Sequence, residues 1–223
     1  MVVFVTAFYS VRADVRMDSY ITEFRKIADT GVPVLLFRDP DENIPDLPAN
    51  VRQIPMPFVR YSAVQLPRVR NEEKDTADFM SLMLMKLRCM KEALAYTDAS
   101  HLAWIDLRVF HVILQTERVQ QQLLKLSRAP LRGLLTRIAA PGCWNPTPEN
   151  FDIFNHICWR WCGGFFVGPR EIFPAAYKRQ TELVEAHLPR LTWEVNYWTM
   201  MEEYFVWYIG DHNESLIMNL PYI

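Results

Sequence analysis

Half of the 223 residues are apolar, 13% are aromatic and 22% are charged, which supplies a sizeable core and excludes a disordered chain. Lys and Arg total 24 against 26 Asp and Glu, a formal net charge of -2, without the basic excess of a nucleic-acid binder. With 7 Gly and 15 Pro, collagen-like and Gly-rich readings also fail. Val2 to Phe8, apolar and rich in β-branched residues, reads as a buried first strand. Asp18 to Thr30 has helical spacing (Tyr20, Ile21, Phe24, Ile27, Ala28) and stops at Gly31. Pro33 to Phe37 and Val51 to Pro55 are short strands separated by a Pro- and acid-rich loop, Asp39 to Pro48. This strand–helix–strand opening points to an α/β fold.

Arg60 to Lys74 mixes charges without periodicity and reads as a surface loop. Asp75 to Tyr96 is the strongest helix signal, and its apolar residues cover nearly the whole circumference, so the helix is expected to be largely buried. His101 to Asp106 is a strand ending in an acid, Val119 to Leu126 a helix and Gly133 to Ala139 a strand. Pro141 to Pro148 reads as a loop. Ile157 to Val167 is strand-like and interrupted by Gly163-Gly164. Pro169 to His187 is a helix with proline in its first turn. Trp193 to Trp198 is an aromatic amphipathic segment, followed later by Asp211-His212. No repeat, linker or composition break divides residues 1–223, so one domain is expected.

The amino terminus has no basic region, and no run of about 18 apolar residues exists. A chain without signal peptide or transmembrane segment, working in the cytoplasm (the host's, if the chain is viral), is expected. The 4 cysteines, Cys89, Cys143, Cys158 and Cys162, do not make a disulfide scaffold or a zinc-finger spacing and read as buried free thiols.

Five features can carry chemistry. Asp106 closes a buried strand, at the rim where α/β sheets bind ligands. It can ligate a divalent metal holding a diphosphate, or cap a turn. Lys86 lies inside an apolar helix and needs an anion, whether a phosphate or an internal carboxylate, unless it snorkels to the helix edge. Gly163, Gly164 and Gly168 surround two phenylalanines, allowing close approach of a ligand or a tight bend. Glu194, between Trp193 and Trp198, suits a sugar, with rings stacking on C–H faces; the alternative is an exposed acid on a helix. Asp211-His212 combines two metal-ligand types. No G-x-S-x-G elbow is present.

In their order, Thr6-Ala-Phe-Tyr, Lys74-Asp-Thr-Ala-Asp-Phe-Met, Lys86, Trp104-Ile-Asp106, Gly163-Gly-Phe-Phe, Trp193-Glu and Asp211-His resemble the small single-domain GT-A-type glycosyltransferases. The likeness is to the HtrL/YibB-like family of bacteria and related transferases of large algal viruses, over nearly the whole chain. The resemblance implies an α/β, Rossmann-like mixed sheet flanked by helices. It implies transfer of a sugar from a UDP- or GDP-linked donor to a glycan or glycoconjugate, assisted by Mn²⁺ or Mg²⁺. Thr6, Ala7, Phe8 and Tyr9 would hold the donor's nucleotide, with Arg12 and Lys86 near its phosphates. Asp106 would match the first acid of an aspartate–any–aspartate metal motif, and Asp211 or His212 the late metal ligand. Gly163 and Gly164 would line the sugar pocket, and Glu194 would face the reacting carbon. Arg108 stands where the motif has its second acid. Either the C-terminal pair completes the metal site, or Arg108 neutralises the diphosphate itself. A non-catalytic nucleotide- or glycan-binding protein and a nucleotidyltransferase are the rival readings.

Overall fold

The computed structural model describes residues 1–11, 17–131, 133 and 135–221. Seven strands form one sheet: β1 (Val2–Phe8), β2 (Val34–Arg38), β3 (Val51–Pro55), β4 (His101–Ile105), β5 (Ile138–Gly142), β6 (Phe165–Pro169) and β7 (Phe205–Ile209). Their spatial order is β3-β2-β1-β4-β6-β5-β7. β6 runs antiparallel to both its neighbours, β4 and β5, and the remaining pairs are parallel. Helices α1 (Met17–Ala28), α2 (Ala77–Ala93), α3 (Thr116–Arg128), α4 (Phe173–His187), α5 (Glu194–Trp198) and α6 (Ser215–Met218) flank it. The result is a Rossmann-like α/β fold with a mixed sheet flanked by helices.

Strand side chains alternate between faces, and two cores follow. Val3, Val5, Leu102, Trp104 and Phe166 pack under α2, α4 and α5. Val2, Phe4, Phe8, Ala103, Ile105 and Phe165 pack against α1, α3 and α6. α2 is apolar all round because it lies under α4 and over the sheet; Met80, Leu84, Leu87, Cys89 and Met90 are buried. Its first turn is capped by the Thr76 hydroxyl, which accepts from Phe79 N at 3.2 Å. No helix of the described residues is long and apolar enough to cross a membrane.

Three expectations shift. β5 lies at 138–142 and includes Pro141, expected in a loop. The ring removes a donor, but the Pro141 carbonyl still accepts from Cys162 N at 2.7 Å. β6 begins at Phe165, so Ile157 to Gly164 is irregular backbone rather than strand. β7, an apolar five-residue run at the sheet edge, has no counterpart among the expected elements.

Candidate functional site

In an open α/β sheet, ligands bind beyond the carboxyl ends of the strands where the strand order changes direction. Here β1 is followed in space by β2 and β3 on one side and by β4 on the other, so the switch lies between β1 and β4. Two adjoining clefts open there. The larger, about 360 Å³, is bordered by Ala7, Tyr20, Lys74, Asp106, Arg108 and His111. The smaller, about 120 Å³, is bordered by Lys86, Gly163, Gly164, Trp193, Glu194 and His212. Lys74, Phe79, Met83 and Asp106 belong to both walls. A further hollow, about 640 Å³, lies around His101 and Arg170 at the opposite end of β4 and holds none of the expected site residues.

Strand and helix periodicity explain how the site residues converge. Asp106 follows Trp104 by two, so both project to the α2 side, and Trp104 Nε1 donates to Asp106 Oδ1 at 2.7 Å. On α2, Phe79, Leu82, Met83 and Lys86 fall at helical spacing on one stripe, and all four border the clefts. Lys86 Nζ lies 2.8 Å from Glu194 Oε1, 3.1 Å from Asp106 Oδ1 and 2.9 Å from the Gly163 carbonyl. Two carboxylates and a carbonyl thus surround the ammonium, in a side chain only 2% exposed. Of the options left open for Lys86, the structure contains the internal ion pair. Burial alone would lower its pKa, but Asp106 and Glu194 outweigh it and hold it raised. Glu194 is buried, not an exposed helix acid, and its side chain is 5% exposed against 36% for Asp106.

Glycine is required beside this network. A Cβ at Gly163 would stand 2.2 Å from Glu194 Oε1 and 3.0 Å from Lys86 Nζ. At Gly164 the nearest atom would be Leu216 Cδ1 at 3.4 Å, with Asp106 Oδ2 at 3.8 Å. Gly163→Ala should therefore destabilise the fold by about 1–3 kcal/mol, the usual scale of overpacking. Gly164→Ala should melt within a degree or two of wild type. Equal melting temperatures for the two variants would contradict the tight packing at Gly163.

Among the other expected site residues, Ala7, Arg108 and His212 border the clefts. The guanidinium of Arg108 lies 5.0 Å from the Tyr20 ring centroid, and its buried Nε makes no hydrogen bond. Thr6 and Phe8 do not reach the clefts, because the strand's alternation turns them to the opposite face; Thr6 is fully buried and Phe8 packs edge-on against Tyr20. Tyr9 is buried and donates to the Met56 carbonyl at 2.9 Å. Asp211 is turned away: its Oδ1 accepts from His212 N at 2.6 Å and from the Cys143 thiol at 3.5 Å. Arg12 lies outside the described residues. Trp198, expected beside a sugar, is instead core, donating to Gln180 at 3.1 Å and stacked on Phe205. Cys143 is exposed, unlike the other three cysteines. Lys74, Tyr20, His111 and Trp159 are cleft residues to which sequence reasoning assigned no role. Only the α2 stripe gave a signal that could have found its members.

Among the described residues no three His, Cys, Asp or Glu side chains gather as a metal-ligand group. Asp106 Oδ2 lies 3.5 Å from Lys86 Nζ, and the His212 ring borders the same cleft. Crowding lowers the His212 pKa, against the pull of Asp211 and Asp106, which favours the neutral ring that ligates metals. Asp106 and His212 are both ligand types that a divalent ion accepts, and two such side chains leave most of its coordination to other ligands.

No family model and no curated protein matches this chain, and neither comparison supports the narrower HtrL/YibB-like likeness. Solved structures do show overall similarity. The bifunctional IspDF of Campylobacter jejuni matches 98% of this chain at 8% identity and a TM-score of 0.47. This chain spans about half of that protein, 51% of its length. A CMP:2-keto-3-deoxy-manno-octonic acid synthetase complexed with CTP matches over 94% of this chain and 90% of its own, at 8% identity and a TM-score of 0.45. HddC of Yersinia pseudotuberculosis matches 78% of this chain and 80% of its own, at 12% identity and a TM-score of 0.34.

Proposed function

We propose that this protein is a nucleotide-sugar glycosyltransferase, moving a sugar from a nucleoside-diphosphate donor to a glycan or glycoconjugate acceptor. The observation that carries this reading is the polarity of the joined clefts. The larger is lined by Lys74, Arg108 and His111 and is roomy enough for a nucleotide. The smaller holds the network of two carboxylates, Asp106 and Glu194, around the Lys86 ammonium, with Lys74 on the wall that the two clefts share. Breaking a glycosidic bond to a nucleotide puts negative charge on the leaving diphosphate and positive charge on the sugar. A cleft with bases at one end and a net negative ion network at the other is complementary to that separation.

In this mechanism Lys74 and Arg108 bind the diphosphate, with Tyr20 stacked under the Arg108 guanidinium to hold it in place. Lys86 fixes Asp106 and Glu194 in position. Glu194, buried beside Trp193 and aimed past Gly163, acts at the sugar as base, nucleophile or orienter of the acceptor. Asp106 and His212 would hold a divalent ion, which when bound would neutralise charge on the departing diphosphate.

Nucleotidyl transfer is the second reading. It draws on the three basic side chains of the larger cleft, which also suit a triphosphate. One panel separates the two: thermal shift and turnover with nucleotide sugars and with nucleoside triphosphates, each with and without Mn²⁺. A nucleotide sugar at 100 times its dissociation constant should stabilise the fold by roughly 2.7 kcal/mol and release nucleoside diphosphate on turnover. Response to a triphosphate alone, with pyrophosphate released, would replace glycosyl by nucleotidyl transfer. Silence toward every nucleotide would remove both.

Arg108→Ala should weaken nucleoside-diphosphate binding about tenfold or more, the scale of one charge-assisted contact, as read by calorimetry. Mn²⁺ should tighten the same binding, and His212→Ala should reduce that dependence. Identical binding in a chelator would leave Arg108 and Lys74 as the diphosphate's only cationic partners.

A further inference from the structure

β5 and β7 both bring their carboxyl ends to the rim that bears the clefts, and the antiparallel β6 begins there. Cys143 follows β5 directly, and Cys162 stands just ahead of β6. The two backbones are clamped: Cys162 N donates to Pro141 O at 2.7 Å and Cys143 N to Trp159 O at 2.9 Å. The Sγ atoms lie 3.8 Å apart. Both thiols point at one carbonyl, Gly210 O, at 3.6 and 3.7 Å, and Cys143 also reaches Asp211 Oδ1 at 3.5 Å. Cys143 is exposed and Cys162 is buried. The pair is tied to the smaller cleft on both sides: Cys162 precedes Gly163, whose carbonyl holds Lys86, and Cys143 hydrogen-bonds to Asp211, which precedes His212.

We infer that Cys143 and Cys162 are a redox modification site, a dithiol that closes to a disulfide across the wall of the smaller cleft. This inference does not depend on the nucleotide-sugar reading. The oxidant is a peroxide that enters from solvent. The exposed Cys143 sulfur attacks a peroxide oxygen, the O–O bond breaks, and Cys143 becomes a sulfenic acid with release of one water. The Cys162 sulfur then attacks the Cys143 sulfur; the S–O bond breaks and a second water leaves with the Cys162 proton. Two thiols lose two electrons and the peroxide gains them. Closing to the disulfide length of about 2.05 Å needs side-chain rotation by less than 2 Å of sulfur travel. The oxidised pair has no S–H, so Gly210 O and the Asp211 carboxylate lose their thiol donors, and the turn carrying His212 loses that anchor.

The test is peptide mapping of the native full chain. The protein is treated with one equivalent of hydrogen peroxide at pH 8.5, where a larger fraction of thiol is ionised. Remaining thiols are then alkylated in denaturant and the chain is digested. A Cys143–Cys162 linked peptide should appear, with Cys89 and Cys158 alkylated, and dithiothreitol should return all four thiols. Cys143→Ser treated alike should give no link. A Cys143–Cys143 link between two molecules, a link to Cys158, sulfinate at Cys143 with Cys162 alkylated, or four unreacted thiols would each overturn the assignment.

Discussion

Glu194→Gln is expected to leave nucleoside-diphosphate affinity nearly unchanged while sugar transfer falls about a hundredfold or more, the scale for removal of a positioned acid–base group. Glutamine has the same shape and keeps an oxygen that can accept from Lys86, which lies 2.8 Å from Oε1 in the wild type. What it removes is the charge and the basicity, on the wall of the smaller cleft, which Arg108 does not border. The residues that line the larger cleft do not include Glu194, so the nucleotide has no reason to sense the change. Calorimetry with nucleoside diphosphate and a turnover assay with the sugar donor separate the two effects. If affinity and rate fall together, Glu194 serves the nucleotide through the Lys86–Asp106 network. If transfer is unchanged, Glu194 has no part in the chemistry. Nearby acids do not offer an easy substitute: Glu202 is held by Arg160 through contacts of 3.0 and 3.2 Å, and Glu203 borders neither cleft.

Much of this geometry was legible in the residues because it depends on local periodicity. The run Val2–Phe8 gave β1 with its bounds, and the strand ending at Ile105 put Asp106 at the sheet rim. Lys86, inside the apolar helix, leaves a phosphate, an internal carboxylate and snorkelling open on sequence alone, and the structure sets it against two carboxylates. What could not be read depends on contacts distant in sequence. Glu194 meets Lys86 only because α5 packs on α2 at the carboxyl edge of the sheet, and no spacing in either segment records that. The resemblance carries Thr6, Ala7, Phe8 and Tyr9 over together, yet a strand shows alternate residues to opposite faces, which turns Thr6 and Phe8 from the cleft, while Tyr9, past the end of β1, is tied to the Met56 carbonyl. Asp211 and His212 part for a related reason: in a tight turn one side chain caps the backbone while the next projects into the cleft. Pro141, at the head of the segment that reads as a loop, lies in β5 instead, where its carbonyl accepts from Cys162 N.

The largest stability effect is expected at Lys86. Lys86→Met fills the same length with apolar atoms, so packing alone predicts little loss. Electrostatics predicts the reverse. Glu194 is 5% exposed on its side chain, and without the ammonium its carboxylate is buried and uncompensated. Breaking a buried pair from one side costs about 3–5 kcal/mol. For a chain of this size that corresponds to a fall of roughly 6–20 °C in melting temperature. Asp106 suffers less, since it is more exposed and keeps the Trp104 donor. The double variant Lys86→Met with Glu194→Gln removes both buried charges and should recover most of the loss, giving a large favourable coupling between the two sites. The pH dependence has a definite sign. In wild type the Lys86 pKa is raised in the folded state, so its contribution is complete below the unfolded lysine value, about 10.4, and is lost as pH climbs through the folded value. In Lys86→Met the deficit should instead shrink from pH 8 toward pH 5, because the orphaned carboxyl can bind a proton and become neutral. A single variant as stable as wild type at pH 8 would mean that water reaches Glu194 and screens it, and the ion network would then hold geometry without contributing to the fold's stability.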